Sequence, residues 1–339
     1  MKLVLRLFLF ITISGFSQVG GESVYNFLNV PTSARQSALG GKVLTLVDDV
    51  NQPFWNPSSI GLEMDNQLGV NYLNFLTDIN YASVSFAHMI NRNFGTIQAG
   101  IIYANYGEFI EADEDGNETG TFKAFDMAVS VGYAYKFPWS NISIGANVKL
   151  INSVIQDYSS FGAAVDLGII YKNENQPYVF TLVARNLGYQ ITTFDGTQEK
   201  VPIEIMLGAS YRVENVPIKL YGTIDNLQKW NVAKPNPSNS ETDIDGTTID
   251  EEISFLDNTM RHFVLGAELF PESGFNLRVG YNFRRAKELQ LDDIRTFAGF
   301  SAGFGLKMGR FKLNYAYTKY HPAENTSTFS LLINLNQRY

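Results

Sequence analysis

The chain has 339 residues, a formal net charge of −8, no cysteine, and a composition with 14% aromatic residues and 28 glycines. The negative charge argues against nucleic acid as a partner, because phosphate binding needs a basic face. The absence of cysteine excludes disulfides, thiolate chemistry and a cysteine-linked lipid anchor.

Residues 1–17 have the pattern of a signal peptide. Lys2 and Arg6 give a positive start, residues 7–13 are apolar, and Gly15 and Ser17 are small residues before a cleavage site. A buried helix is the alternative interpretation, but the apolar run is too short to span a bilayer. The sequence therefore predicts an exported protein.

Residues 18–66 do not alternate between apolar and polar positions. They are rich in capping, glycine and proline signals, which are typical of compact irregular structure. We interpret them as an N-terminal plug that lies inside a barrel. The candidate plug residues are Arg35, Gly40, Gly41, Asp48, Asp49, Asn56 and Pro57.

From residue 67 to residue 339 the sequence repeatedly alternates apolar with polar or small residues, which is the period of a strand with two different faces. In residues 142–150, for example, Ile144 and Val148 belong to one face and Asn147 and Lys149 to the other. Fourteen such segments are predicted, at about 67–75, 79–90, 94–105, 122–137, 141–153, 159–173, 177–187, 202–213, 217–227, 259–270, 274–284, 296–308, 310–319 and 326–337.

The connections between these segments alternate short and long. Bacterial outer-membrane barrels have an even number of strands, short periplasmic turns and longer outside loops. The sequence thus predicts an all-β fold, a fourteen-stranded antiparallel transmembrane β-barrel in the cell outer membrane, with its loops extracellular and both termini periplasmic. A soluble β-sandwich is the alternative, but its solvent-facing side would consist mostly of Gly, Ala, Ser and Asn.

Two predicted outside loops are strongly acidic. In the simplest interpretation, residues 106–121 and 228–258 are solvated loops. In the more specific interpretation, they form a docking surface for a partner. The candidate docking residues are Glu108, Glu111, Asp113, Asp115, Asp243, Asp245, Asp250 and Glu251. Crowded carboxylates also suggest calcium at Asp113 and Asp115, although the spacing of a full calcium loop is absent.

Several charged residues occupy predicted lumen-facing positions. They could define a ligand path, but charges in a narrow barrel need partners, so we expect them to pair with each other and with the plug. They are Lys149, Arg185, Glu204, Arg212, Glu268, Arg278 and Arg284.

No motif for catalysis is recognisable. His88, His262 and His321 are far apart in the sequence, and there is no nucleophile elbow, zinc-helix motif or phosphate-binding glycine loop. We expect each histidine to be a strand-end or loop residue. The sequence predicts a protein without enzymatic activity and without a cofactor.

The N-terminal motifs carry a resemblance to known barrels. The order Gly40-Gly41, the pair Asp48-Asp49 and then Asn56-Pro57 before the first strand resembles the plug of the fatty-acid-channel superfamily of fourteen-stranded barrels. Residues 25–41, with the sequence YNFLNVPTSARQSALGG, are similar to the PorV/PorQ family of the type IX secretion system in Bacteroidetes.

The resemblance implies a non-enzymatic component of the cell-surface attachment complex, embedded in outer-membrane lipid. Its implied partner is a PorZ-like surface subunit that the barrel anchors, with a sortase and a PorV-like barrel as further members of the complex. The alternative is a channel-like transporter of hydrophobic compounds across the outer membrane. An apolar pocket in the lumen and a gap in the wall would favour transport, whereas a closed, polar-filled lumen would favour the anchor.

Overall fold

A computed structural model describes residues 23–91, 94–233, 241–242, 248–249, 253–288, 297–320 and 324–336. The predicted signal peptide lies outside these residues. So do four of the acidic docking candidates, Asp243, Asp245, Asp250 and Glu251.

Most of the described chain is β-structure. The strands are β1 (Gln67–Leu76), β2 (Ile79–Asn91), β3 (Gly95–Ala112), β4 (Glu118–Lys136), β5 (Ile142–Ile155), β6 (Tyr158–Lys172), β7 (Tyr178–Thr192), β8 (Glu204–Arg212), β9 (Ile218–Ile224), β10 (Glu241–Thr242), β11 (Thr248–Ile249), β12 (Phe263–Leu269), β13 (Phe275–Asn282), β14 (Phe300–Met308), β15 (Phe311–Thr318) and β16 (Thr326–Asn334). The α-helices are α1 (Ala34–Ala38), α2 (Phe255–Met260) and α3 (Phe283–Glu288). None of the described helices is long and apolar enough to cross a membrane.

Fourteen of these strands close into one antiparallel barrel. Each strand pairs with its neighbour in the chain, except that β9 pairs directly with β12, while β10 and β11 form a separate two-stranded sheet. The barrel closes because β1 pairs with both β2 and β16, so that Gly69 lies opposite Ser85 on one side and Leu332 on the other. The predicted fold class is confirmed, and β1 begins at Gln67 as the alternation indicates.

The two faces of the wall differ sharply. On β5, Ile144 and Val148 are 41% and 53% exposed, whereas Asn147 and Lys149 are 0% and 2% exposed. The other strands repeat this pattern with Val, Leu, Ile, Phe and Tyr outside. An apolar outer face with a polar inner face is the arrangement of a barrel surrounded by lipid.

The connections at the two ends of the barrel differ in length. We name the end with turns 137–141, 173–177, 213–217 and 270–274 the short-turn end, and the opposite end, with connections such as 193–203 and 225–262, the long-loop end. The predicted alternation of connections is present only in part, because connections 77–78, 113–117 and 156–157 at the long-loop end are no longer than the turns at the other end. Which end faces the cell surface stays a prediction.

The structure differs from the sequence prediction at several boundaries, and three of the differences concern the acidic and charged candidates. Most of segment 106–121 is not loop: β3 and β4 continue beyond a bulge at Gly107 as a protruding hairpin, because Phe109 pairs with Phe122 there. The strand predicted to reach residue 284 ends at Asn282, and Arg284 lies on α3. Arg212 does not face the lumen, since its side chain is 51% exposed and pairs with Glu272 at the short-turn end.

Residues 23–66, here called the N-terminal segment, pack against the inward faces of the strands. Besides α1, the segment consists of 3-10 turns and extended chain. Its contacts include Asn51 with Asn71 on β1, Phe54 with Gly100 on β3 and Asn56 with Thr181 on β7. Further contacts reach the remaining strands of the barrel, at Ser83, Gly132, Gly145, Gly168, Gly208, Tyr221, Glu268, Gly280, Ser301, Ala316 and Ser330.

Glycines let the segment approach the wall closely. A Cβ atom at Gly280 would lie 2.1 Å from the backbone nitrogen of Gly40 and 2.3 Å from the carbonyl carbon of Leu39. At Gly222, by contrast, the nearest atom to a Cβ would be 3.8 Å away. Gly280 is thus required by the packing of the N-terminal segment, and Gly222 is not.

We expect Gly280→Ala to destabilise the folded barrel by about 1 to 3 kcal/mol, because overpacking forces backbone to move. Gly222→Ala, the control, should be neutral or slightly stabilising. Each variant is heated to a series of temperatures and run on a gel without boiling, and the temperature at which the band of the folded barrel disappears is compared between the two variants. Equal temperatures for the two variants would contradict this packing.

Candidate functional site in the barrel lumen

The first helix positions the N-terminal segment. The Ser33 side chain caps α1 by accepting from the backbone N–H of Gln36. Gly40 and Gly41 follow the helix with φ of +96°, a conformation that favours glycine, and the Gly41 N–H returns to the carbonyl of Gln36. This turn ends α1 at Ala38.

Arg35 belongs to an ionic cluster near the short-turn end. Its Nη1 donates to Asp48 Oδ1 at 2.8 Å and its Nη2 donates to Glu268 Oε2 at 2.9 Å. Glu268 also accepts from Arg278 Nε and from Tyr221 Oη, each at 2.8 Å. Because Glu268 is completely buried, this carboxylate depends on these donors for its charge. The cluster joins the N-terminal segment to β9, β12 and β13.

Lys42 forms a second ionic cluster at the long-loop end. Its Nζ binds the carboxylate of Glu204 and lies 2.6 Å from Asp225 Oδ2. Arg284 Nη2 donates to Asp225 Oδ1 at 2.7 Å, and Arg185 Nη1 lies 3.3 Å from Glu204 Oε2. The N-terminal segment is therefore held by ion pairs at both ends of the lumen.

Arg185 extends this cluster along the wall. Its Nη2 donates to the carbonyl of Leu28 at 2.8 Å, and its guanidinium lies 3.9 Å from the ring centroid of Trp55. On the neighbouring strands, Lys149 Nζ pairs with Asp166 Oδ2 at 2.6 Å. The expected pairing of lumen-facing charges with each other and with the segment is thus present at these residues.

The acidic pair and the Asn-Pro motif have separate roles. Asp48 is the outer member, with a side chain 48% exposed, whereas Asp49 is buried and its Oδ1 accepts from both nitrogens of Asn51 at 3.0 Å. Asn56 caps the 3-10 turn that begins at Pro57, and its Nδ2 donates to Thr181 Oγ1 at 3.0 Å. These residues shape the segment against the wall.

A large apolar cluster occupies the half of the lumen toward the long loops. It combines side chains of the N-terminal segment with inward residues of the strands: Tyr25, Phe27, Leu28, Leu44, Phe54, Trp55, Leu73, Tyr81, Ile102, Ile151, Val183 and Met206. These side chains are packed against each other and are all less than 7% exposed. Apolar packing and ion pairs therefore act together on the segment.

The described acidic candidates lie on or near the β3–β4 hairpin. Asp113 closes its tip, because its Oδ1 accepts from the backbone of Asp115 and Asn117 and its Oδ2 from the Asn117 amide. These hydrogen bonds lower the pKa of Asp113. Glu108 accepts from Thr121 at 2.8 Å.

Glu111 accepts from Gln156 Nε2 at 3.0 Å. Among the residues that the structure describes, no three acidic or histidine side chains converge on a common point. Calcium at Asp113 and Asp115 thus stays a prediction.

Sequence reasoning missed Lys42, the residue that links the N-terminal segment to Glu204 and Asp225. These partners are more than 160 positions away in the sequence, so no local pattern could have indicated them. It also gave no role to His262, which is buried with Nδ1 2.6 Å from the carbonyl oxygen of Asp225.

Comparison with solved structures finds proteins of the same fold. The fold is similar to that of the Ralstonia pickettii toluene transporter TbuX, with a TM-score of 0.54 and 11% identity over 91% of this chain and 98% of that chain. It is also similar to a mutant of the TodX monoaromatic hydrocarbon channel, with a TM-score of 0.53 and 13% identity over 90% and 98%. No protein-family model and no curated protein matches the sequence. The chain has the fold of these outer-membrane barrels, which supports a location in the outer membrane.

We expect Glu268→Gln to lower the free energy of unfolding by about 3 to 5 kcal/mol, because Arg35 and Arg278 lose their buried anion. Glu272→Gln breaks the exposed pair with Arg212 and should cost less than about 1 kcal/mol. Urea unfolding of the detergent-solubilised barrel, followed by tryptophan fluorescence, compares the two. A loss below about 1 kcal/mol for Glu268→Gln would rule out this role for the cluster.

Proposed function

We propose that this chain is a plugged, non-enzymatic outer-membrane barrel that anchors a surface subunit of the type IX secretion system. The observation that carries the proposal is the N-terminal segment, which is fastened by buried ion pairs at both ends of the lumen. Opening a path through this lumen would break the buried Arg35–Glu268 and Lys42–Glu204 ion pairs, which costs free energy. A closed barrel suits an anchor better than a channel.

The resemblance of residues 25–41 to the PorV/PorQ family supports the choice of secretion system. We propose the PorQ role within that family. The partner would then be a PorZ-like subunit, with a sortase and a PorV-like barrel in the same complex. The assignment to this secretion system depends on the motif in residues 25–41.

The protruding β3–β4 hairpin supports an anchoring surface. It carries Glu108, Glu111, Asp113 and Asp115 beyond the barrel, and we propose that the long-loop end faces outward with both termini periplasmic. Acidic groups at the rim of an interface mainly steer association and set specificity. We therefore propose a basic patch on the partner as the surface that meets this hairpin.

Transport of hydrophobic compounds is the second candidate function. It is favoured by the fold shared with TbuX and TodX, whose names describe a toluene transporter and a monoaromatic hydrocarbon channel. Fold likeness at this level of identity does not carry function with it. Transport would also require the N-terminal segment to move away from its ion-pair partners.

The anchoring function is tested by isolating the tagged full-length protein from outer membranes and identifying the proteins that co-purify with it by mass spectrometry. We expect a secretion-system surface subunit to be recovered with the wild type, and its yield to fall several-fold with Glu108→Lys/Glu111→Lys. Glu174→Lys, a charge reversal in a turn at the short-turn end, is the control and should retain the partner.

Recovery of no surface subunit would overturn the anchor. If cells that contain the protein also accumulate toluene faster than cells without it, the transporter is the better assignment. The two functions therefore give opposite results in these two assays.

A further inference from the structure

Beyond Gly107, the β3–β4 hairpin leaves the barrel wall with an open edge. β3 pairs with β2 only as far as Asn105, because β2 begins at Ile79, whereas the pairing of β3 with β4 continues to Ala112. Among the described residues, β3 therefore has a neighbouring strand on one side only between residues 107 and 112. A row of unpaired backbone groups of this kind is a template for one more strand.

The register shows which backbone groups lie on this open edge. The carbonyl of Lys123 on β4 accepts from the N–H of Gln156, so the backbone groups of Lys123 point away from β3. Glu108 is the residue opposite Lys123, and Ile110 lies two positions later, opposite Thr121. Since backbone groups alternate in direction along an antiparallel strand, the N–H and C=O groups of Glu108 and Ile110 point to the open edge.

The side chains beside this edge combine apolar surface with negative charge. Ile110 is 63% exposed, and Phe109 is 41% exposed although its ring stacks on that of Phe122 with centroids 5.2 Å apart. Every charged residue from 106 to 121 is acidic, and Glu108 and Glu111 lie on the open strand itself. A strand added here would meet both an apolar and an acidic surface.

A second copy of this chain is a poor occupant of the edge. Pairing of two such edges would bring the acidic side chains of both copies together, and like charges on paired strands are destabilising. A strand with lysine or arginine side chains would instead form opposite-charge pairs across the new ladder. Charge therefore favours a basic strand from another protein.

We propose that an extended, basic segment of a partner protein adds to the open edge of β3 as a further strand. Backbone hydrogen bonds at Glu108 and Ile110 hold the segment, and the acidic side chains of Glu108 and Glu111 select its basic residues. The inference rests on the anchoring function for the identity of the partner, because it describes how the anchored subunit contacts the hairpin.

Fluorescence anisotropy with labelled peptides tests the edge on the full-length protein in nanodiscs. The probes are a short peptide of alternating lysine and valine, the same peptide with all its amides N-methylated, and a peptide of alternating glutamate and valine. We expect the basic peptide to bind and the other two to bind roughly tenfold more weakly, because one lacks hydrogen-bond donors and the other has the wrong charge. Equal binding of the basic peptide and its N-methylated form would overturn the proposal, since charge alone would then explain the binding.

Matched proline variants decide which edge of the hairpin is used. Ile110→Pro removes one N–H from the open edge of β3. Thr121→Pro removes the N–H of the opposite residue, which points to the outer edge of β4 because Thr121 has the same orientation as Lys123. We expect Ile110→Pro to weaken binding of the basic peptide roughly three- to tenfold and Thr121→Pro to leave it unchanged. Equal losses in the two variants would contradict binding at β3.

Amide hydrogen exchange of the wild type decides the matter if the hairpin of Ile110→Pro does not fold. We expect the basic peptide to protect the amides of Glu108 and Ile110. Absence of this protection would overturn the proposal, and so would protection that rises with protein concentration without peptide, because two copies would then pair. No partner subunit is present in these assays, so absence of peptide binding contradicts the strand addition alone, and absence of co-purification contradicts the anchor.

Discussion

The structure depends on the pairing of charges between the N-terminal segment and the inner wall of the barrel. Glu268 and Glu204 are almost completely buried and each receives a cation from the segment, Arg35 in the first case and Lys42 in the second. A buried charge without a partner is strongly destabilising. Arg278 and Arg185 of the wall also pair with these two carboxylates, so the segment and the wall share one ionic network and are parts of one folded unit.

This constraint accounts for several features that are otherwise unrelated. Gly40, Gly41 and Gly280 permit the close approach that brings Arg35 to Glu268. The apolar cluster around Trp55 excludes water from the half of the lumen where Arg185 lies, which strengthens the electrostatic interactions there.

The barrel could be predicted from the sequence because its signal is repeated. In each strand, the alternation of apolar and polar residues indicates which side chains face outward and which face inward. Asn147 and Lys149 on β5 are buried, as this alternation predicts. The predictions were less accurate where local structure departs from that period. The hairpin beyond Gly107 looks like an acidic loop, and Arg284 continues an alternation that the chain does not follow, since α3 begins at Phe283.

The sequence could predict that charged residues in the lumen form ion pairs, but it could not predict which residues pair with each other. A charge at a lumen-facing position needs a partner, yet nothing near Glu204 in the sequence indicates Lys42. Because the chain has no cysteine, these long-range contacts can be tested directly in the membrane. Ser37 Oγ and Thr328 Oγ1 lie 3.3 Å apart in a hydrogen bond between α1 and β16, so cysteines at these positions would bring two sulfur atoms close to each other.

The most direct measurement is oxidation of Ser37→Cys/Thr328→Cys in intact outer membranes. We expect nearly complete disulfide formation in a barrel that remains folded, whereas Ser37→Cys/Ser153→Cys, which pairs the same helix position with an inward residue on β5, should remain reduced. Equal disulfide yields for the two pairs, or no disulfide in the first, would contradict an N-terminal segment held against the inner wall.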